Sequence, residues 1–243
     1  MKDFLKDLID HTNGLGVVDL IKITGTAQET QFSALADGKT VIIDGSFKNP
    51  IADFIGVFGM PNLGKLKTII GFEDYDSNAI INVTRENKNG VDCPVTIHFQ
   101  TQAGDFVNDY RLMSKALIEE KVKNVSFKGT TWNVEFEPTI AGIQRLKRQQ
   151  QANSEEVHFA MKTENGNLKI YFGDPSTHSG NFVFQTSVTG NINNTLAWPV
   201  KEFIGIMDMV GDKKIRVSDA GATEITVDSG IASYRYLLPA NVK

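Results

Sequence analysis

Hydrophobic residues along this chain keep two rhythms, and the switches between them mark out the elements. Phe4, Leu5, Leu8 and Ile9 recur at helical spacing and Asn13-Gly14 supplies a stop, which predicts a short helix over residues 3–12. Strand-like runs follow over Val17 to Ile23, Gln31 to Ala36 and Thr40 to Ile43, with Asp37-Gly38 as a hairpin turn between the last two. Pro50 suits the first turn of a second helix, where a missing N–H costs nothing, and Asp53 favours the positive end of its dipole. Phe54/Phe58 and Ile51/Ile55 would then form i,i+4 pairs on one face. Leu66 to Ile70, Ala79 to Val83 and Val95 to Phe99 read as strands. Residues 104–129 read as a connection, and the pattern of Asp109 to Lys121 within it fits a helical turn or two.

The second half opens with a strand, Thr131 to Phe136, and a helix from Pro138 to about Gln151. Strands follow at Val157 to Lys162, Leu168 to Phe172 and Phe182 to Ser187, with Asn165-Gly166 as a hairpin turn. A helix over Pro199 to Met209 precedes three closing strands, Lys214 to Val217, Thr223 to Val227 and Ala232 to Leu238. Each half reads as helix, strands, helix, strands: a βαβββ-like motif used twice, its first copy lacking a clear opening strand. Antiparallel meanders carrying amphipathic helices make a two-layer α+β arrangement.

A longer pattern overlies this one. The stretch Pro50-Ile51-Ala52-Asp53-Phe54-Ile55-Gly56-Val57-Phe58-Gly59-Met60 returns 149 residues on as Pro199-Val200-Lys201-Glu202-Phe203-Ile204-Gly205-Ile206-Met207-Asp208-Met209. In the same register Lys65-Leu66-Lys67-Thr68 faces Lys214-Ile215-Arg216-Val217. The duplication predicts two similar domains, residues 1–110 and 130–243, joined by a connection over 111–129. Gly56 and Gly205 would lie inside helices, where glycine costs ~1 kcal/mol relative to alanine, so both imply close packing on a sheet.

Composition narrows the chemistry. The net charge of −4 does not advertise nucleic-acid binding for the surface as a whole, although it can conceal a local stripe of opposite sign. Cys93 is the only cysteine, so neither an intramolecular disulfide nor a cysteine-based metal site is available. His11, His98, His158 and His178 show no zinc-ligand spacing, so no metal or other cofactor is expected. Glu119-Glu120 and Glu155-Glu156 fit solvated loops better than an acid/base pair, and nothing marks a nucleophile elbow around any serine. The start, Met1-Lys2-Asp3-Phe4-Leu5-Lys6-Asp7, carries charge where a signal peptide needs an apolar core, and no apolar run approaches the ~20 residues of a membrane span. A soluble, non-catalytic protein of the cytoplasm is expected.

Short helices over long sheets, duplicated in one chain, resemble the DNA sliding clamps, in particular the clamp of T-even-like tailed phages. The Phe54-Ile55-Gly56-Val57 and Phe203-Ile204-Gly205-Ile206 segments resemble the second helix of each clamp domain. Trp132 to Gln151 resembles the entry into the second domain, and Ala232-Ser233-Tyr234-Arg235-Tyr236-Leu237-Leu238-Pro239 the last strand and its Pro-containing tail. The resemblance implies a homotrimer of six similar domains closed head to tail, sheets outside and four short helices lining the hole. It also implies double-stranded DNA, a DNA polymerase and an ATP-dependent clamp loader as partners, with a role in late transcription in T-even-like phages. The ATP would belong to the loader, since no P-loop occurs in this chain. A viral clamp would work in the host-cell cytoplasm.

Sliding requires contacts with phosphates rather than base edges, hence basic residues on the helices. Arg145, Lys147 and Arg148 cluster in a segment, Thr139 to Gln151, that contains no acid, with Ile140, Ile143 and Leu146 as its apolar face. Lys2 and Lys6 on the first helix are accompanied by Asp3, Asp7 and Asp10, and Lys201 stands singly on the last. The resemblance assigns capture of partner peptides to an apolar pocket at Tyr236, Leu238 and Pro239, although Tyr236 and Leu238 also suit the core of a closing strand. Two rivals remain open: a ring or tube component of a virion, and a small-molecule enzyme whose polar groups converge only in the fold.

Overall fold

The computed structural model describes residues 1–75, 78–88, 90–122, 127 and 129–242. The chain divides into two compact units, Met1–Val125 with Ser229–Tyr234, and Ser126–Asp228 with Arg235–Lys243.

Unit one runs α1 (Lys2–Asp10), β1 (Leu20–Gly25), β2 (Thr30–Leu35), β3 (Ile42–Phe47), β4 (Gly56–Pro61), α2 (Leu63–Ile70), β5 (Ile80–Lys88), β6 (Val91–Gln100), β7 (Val107–Arg111) and α3 (Lys115–Lys121). Antiparallel pairing gives the order β4-β1-β2-β3, and a separate three-stranded sheet β5-β6-β7. β1 and β2 alternate strictly, so Ile21, Ile23, Phe32 and Ala34 point inward, where α1 lays Leu5, Leu8 and Ile9 and α2 lays Leu63, Leu66, Ile69 and Ile70.

The strand expectations from Val17 to Ile43 hold to within a few residues, but the next two elements exchange roles. The segment expected as the first copy of the repeated helix is a 3-10 turn, Ala52–Phe54, running into β4, and the expected strand Leu66 to Ile70 is the helix α2. Gly56 has φ +118°, far from helical and close to glycine-only territory. From there Gly56 to Pro61 pairs with β1 in unbroken register, Gly25 to Leu20. Phe54 and Phe58 are still buried, edge-on to each other at 5.7 Å, but Phe54 ends the 3-10 turn and Phe58 lies in β4, so they do not share one helix face. Within 104–129, β7 and α3 are added.

Unit two runs β8 (Val134–Phe136), α4 (Ile140–Ala152), β9 (His158–Glu164), β10 (Asn167–Gly173), β11 (Ser179–Gln185), β12 (Leu196–Pro199), α5 (Val200–Asp208), β13 (Asp212–Ser218) and β14 (Ala222–Asp228). β15 (Ala232–Pro239) enters it from Arg235 onward, and β16 (Asn241–Val242) closes the chain. One sheet has the order β11-β10-β9-β12-β16, and β14-β13-β8 are antiparallel neighbours in the other. Asn165 and Gly166 both take positive φ in the two-residue turn between β9 and β10, as the hairpin signal requires. α5 is the expected helix of the second repeat copy, with Phe203, Ile206 and Met207 buried. The two copies of the repeat therefore have different secondary structures.

Candidate nucleic-acid interface

α4 begins where Thr139 accepts a hydrogen bond from the Gly142 N–H at 3.0 Å, with Pro138 just outside the cap. Gly142 and Leu146 face the sheet; a Cβ on Gly142 would lie 2.5 Å from the Phe184 carbonyl oxygen of β11, so helix and strand touch backbone to backbone. Ile140 is 77% exposed, contrary to the apolar face expected of it. It precedes the first sheet-facing position by two residues and so points away from the core. Ala141, Gln144, Arg145, Arg148 and Gln151 make up the exposed face, which carries positive charge and no acid. Lys147 turns sideways into an ion pair with Asp208 at the end of α5, each side chain about half exposed. Lys201 is exposed on the first turn of α5.

In unit one, α1 and α2 lie side by side and line a shared groove of about 350 Å³ with Lys2, Lys6, Ile9, Lys67 and Ile70. Lys2 is half-buried and donates to the Tyr75 carbonyl, while Lys6 is exposed and paired with Asp10 one turn on. Lys65 and Lys67 stand exposed on the outer face of α2. Neither is legible in the chain as a helix residue, because Leu66 to Ile70 reads as a strand there. The i,i+3 spacing of Leu63, Leu66 and Ile69 was the signal that could have found them.

The residues expected to capture peptides are placed otherwise. Tyr236 and Leu238 are fully buried, Tyr236 with its hydroxyl 3.1 Å from the Met209 sulfur, and only Pro239 is exposed. They occupy alternate positions on β15 that point into the core of unit two. An open groove of about 460 Å³ exists instead in unit one, lined by Leu20, Leu35, Met113 and Val122 together with the polar Asp19 and Asn62, with Lys39 and Lys121 exposed on it. Beside it the Tyr110 hydroxyl is buried and donates to the Pro61 carbonyl; burial, with Asp19 nearby, pushes its pKa far above the ordinary tyrosine value. Among the described residues no three His, Cys, Asp or Glu side chains gather to hold a metal ion, and no helix is long and apolar enough to cross a membrane.

No protein-family model and no curated protein matches the chain. Solved structures do. PCNA of A. fulgidus, in a structure that holds the C-terminal region of FEN-1 bound to it, superposes with a TM-score of 0.71 over 100% of this chain and 97% of that one, at 10% identity. The fold is that of PCNA. PCNA of Thermococcus kodakaraensis gives a TM-score of 0.67 at 13% identity, over 99% of this chain and 97% of that one. The expected α+β class with antiparallel sheets and few short helices holds. At such low identity the likeness to PCNA lies in how the elements are arranged and not in side chains.

Proposed function

We propose that this chain is a sliding clamp, a processivity factor that encircles duplex DNA without reading sequence and tethers a replicative polymerase. The observation that carries the reading is the acid-free, arginine-bearing solvent face of α4 in a chain of net charge −4. Phosphate attraction is indifferent to sequence and survives translation along the duplex, which is what sliding needs. The proposed DNA-facing set is Lys2, Lys6, Arg145, Lys147, Arg148 and Lys201, to which α2 adds Lys65 and Lys67. Lys2, Lys6 and Lys147 divide their charge with partners in the fold, so the exposed Arg145, Arg148, Lys65, Lys67 and Lys201 carry most of the attraction.

In this reading two clamp domains, 1–110 and 130–243 about a connection at 111–129, repeat three times in a homotrimeric ring. Copies join edge to edge. β7 ends the three-stranded sheet of unit one and β11 the five-stranded sheet of unit two, and pairing β7 of one copy with β11 of the next removes both open edges. Partner peptides dock in this mixed apolar and polar groove of unit one, with Lys39 and Lys121 favouring acidic residues beside the anchors. Of Tyr236, Leu238 and Pro239, the exposed Pro239 is the one a peptide touches directly. Following the resemblance, an ATP-dependent loader opens the ring, which works in the cytoplasm (the host cell's, for a phage clamp) and takes part in late transcription.

Native mass measurement tests the ring: a trimer of the 26.8 kDa chain is expected, and a monomer at micromolar concentration overturns it. Replacing Arg145, Lys147 and Arg148 with Ala should leave that mass unchanged and weaken retention on circular DNA. Undiminished processivity of the cognate polymerase with the triple variant would remove α4 from the interface and favour a structural ring of the virion.

A further inference from the structure

β7 has a distinct division of labour along its length. Leu112 N–H donates to the Val95 carbonyl at 2.9 Å and Thr101 N–H to the Phe106 carbonyl at 3.0 Å. By the two-residue alternation of an antiparallel ladder, positions 106, 108, 110 and 112 bond to β6, and Val107, Asp109 and Arg111 turn their backbone groups to the other edge, which is closed beyond them where Met113 and Gly59 of β4 exchange hydrogen bonds. The side chains of those three residues share the outer face, since Tyr110, Ile97 and Phe99 are buried on the inner one. Opposite Asp109 in the register stands His98, its Nδ1 2.8 Å from Asp109 Oδ1 and its Nε2 3.1 Å from Gln100 Oε1. Hydrogen bonding to Asp109, then to Gln100, raises the imidazole pKa above its ordinary 6.5 against a smaller opposing effect of burial. The charged groups on this face of the neighbouring strands are Asp109 and Arg111 of β7, whereas β5 sets neutral Ile80, Asn82 and Thr84 against β6.

We propose that the His98–Asp109 pair is a proton-operated latch on the edge where copies of this chain join, a proposal that rests on the reading of β7 as that edge. The same residue offers backbone bonds to the incoming strand and its carboxylate to His98. Protonated His98 neutralises that carboxylate and fixes it against β6. Neutral His98 leaves Asp109, among the described residues, with only Arg111 as a positive neighbour on this face, beside the joint of an already acidic chain. The sign follows from the charge at the edge: below its raised pKa His98 carries the proton that offsets Asp109, and that offset is lost as the pH rises through the raised value. Assembly is therefore tighter on the acid side and looser on the alkaline side.

The test is the subunit dissociation constant of the full chain, measured by sedimentation or mass photometry from about pH 6 to about pH 9, where one unit of coupled shift corresponds to about a tenfold change. Wild type should loosen roughly tenfold over that range. His98→Gln should be flat, Asp109→Asn flat, and His158→Gln, on β9 two strands in from β11, should keep the wild-type slope. A flat wild-type profile, or an undiminished slope in His98→Gln, overturns the latch while leaving the ring intact. A chain that is monomeric at every pH overturns the edge reading itself. Melting temperatures of the variants that stay well above the assay temperature at every pH separate the assembly effect from loss of fold.

Discussion

Asp7 shows how much one buried carboxylate can organise. It accepts hydrogen bonds from the Tyr234 hydroxyl at 2.6 Å and the Ser229 hydroxyl at 3.0 Å, and His11, one turn on, stacks on the Tyr234 ring at 4.4 Å. Unit one thereby ties α1 to a segment more than two hundred residues away in sequence. Hydrogen bonds to a charged group are worth about 1.5–3 kcal/mol each, so Asp7→Ala should lower the unfolding free energy of the unit by roughly 2–4 kcal/mol. Tyr234→Phe should cost less, about 1–2 kcal/mol, and the double variant less than the sum of the two, because one interaction is shared. Denaturant titration of the four proteins measures this, and strict additivity would dissolve the network. None of it was legible in the sequence, where Asp7 reads as one acid among three on a short helix.

At the scale of elements, the repeated segment is the most instructive. Pro50 to Met60 and Pro199 to Met209 share proline, acid, Phe-Ile-Gly and methionine in register, yet one copy is turn and strand and the other mostly helix. Their apolar residues satisfy either rhythm. The decision falls to neighbours: β1 offers the first copy a complete antiparallel partner, whereas Val200 to Asp208 buries Phe203, Ile206 and Met207 along one helix face. Gly56 tests the difference by sign. In a helix, Gly56→Ala would stabilise by about 1 kcal/mol. At φ +118° it should instead destabilise by about 1–2 kcal/mol, read as a lowered denaturation midpoint with an unchanged slope.

For the molecule as a whole, the proposed function rests on the distribution of charge rather than its total. If α4 faces duplex DNA, each phosphate contact steepens the salt dependence of binding by about 0.9 in log–log slope. Arg145→Gln with Arg148→Gln should thus flatten that slope by about two, while Asp208→Asn, which releases Lys147, should steepen it by up to one. Asp208→Asn should barely touch stability, because an ion pair this exposed contributes about 0–1 kcal/mol. Equal slopes for all three proteins would place these cations away from the DNA. The basic face of α4 could be read from the chain because the run lacks acids and its capping threonine is local. Lys65 and Lys67 could not, because a strand expected over Leu66 to Ile70 takes this segment out of the set of helices on which basic residues are sought.

The chain by itself settled what depends on near neighbours: the α+β class, most strands, the Asn165-Gly166 turn, and the helices α1, α4 and α5, whose periodicity and caps lie within a few residues of each other. Tertiary structure decided what depends on distant partners. Pairing with β1 drew Gly56 to Pro61 into a strand, burial in unit two withdrew Tyr236 and Leu238 from the surface, and the antiparallel alternation on β6 left Asp109 both at the open edge and against His98. Backbone hydrogen bonds and core volume are satisfied by the whole fold, so a segment that fits two local conformations takes the one its distant neighbours can complete.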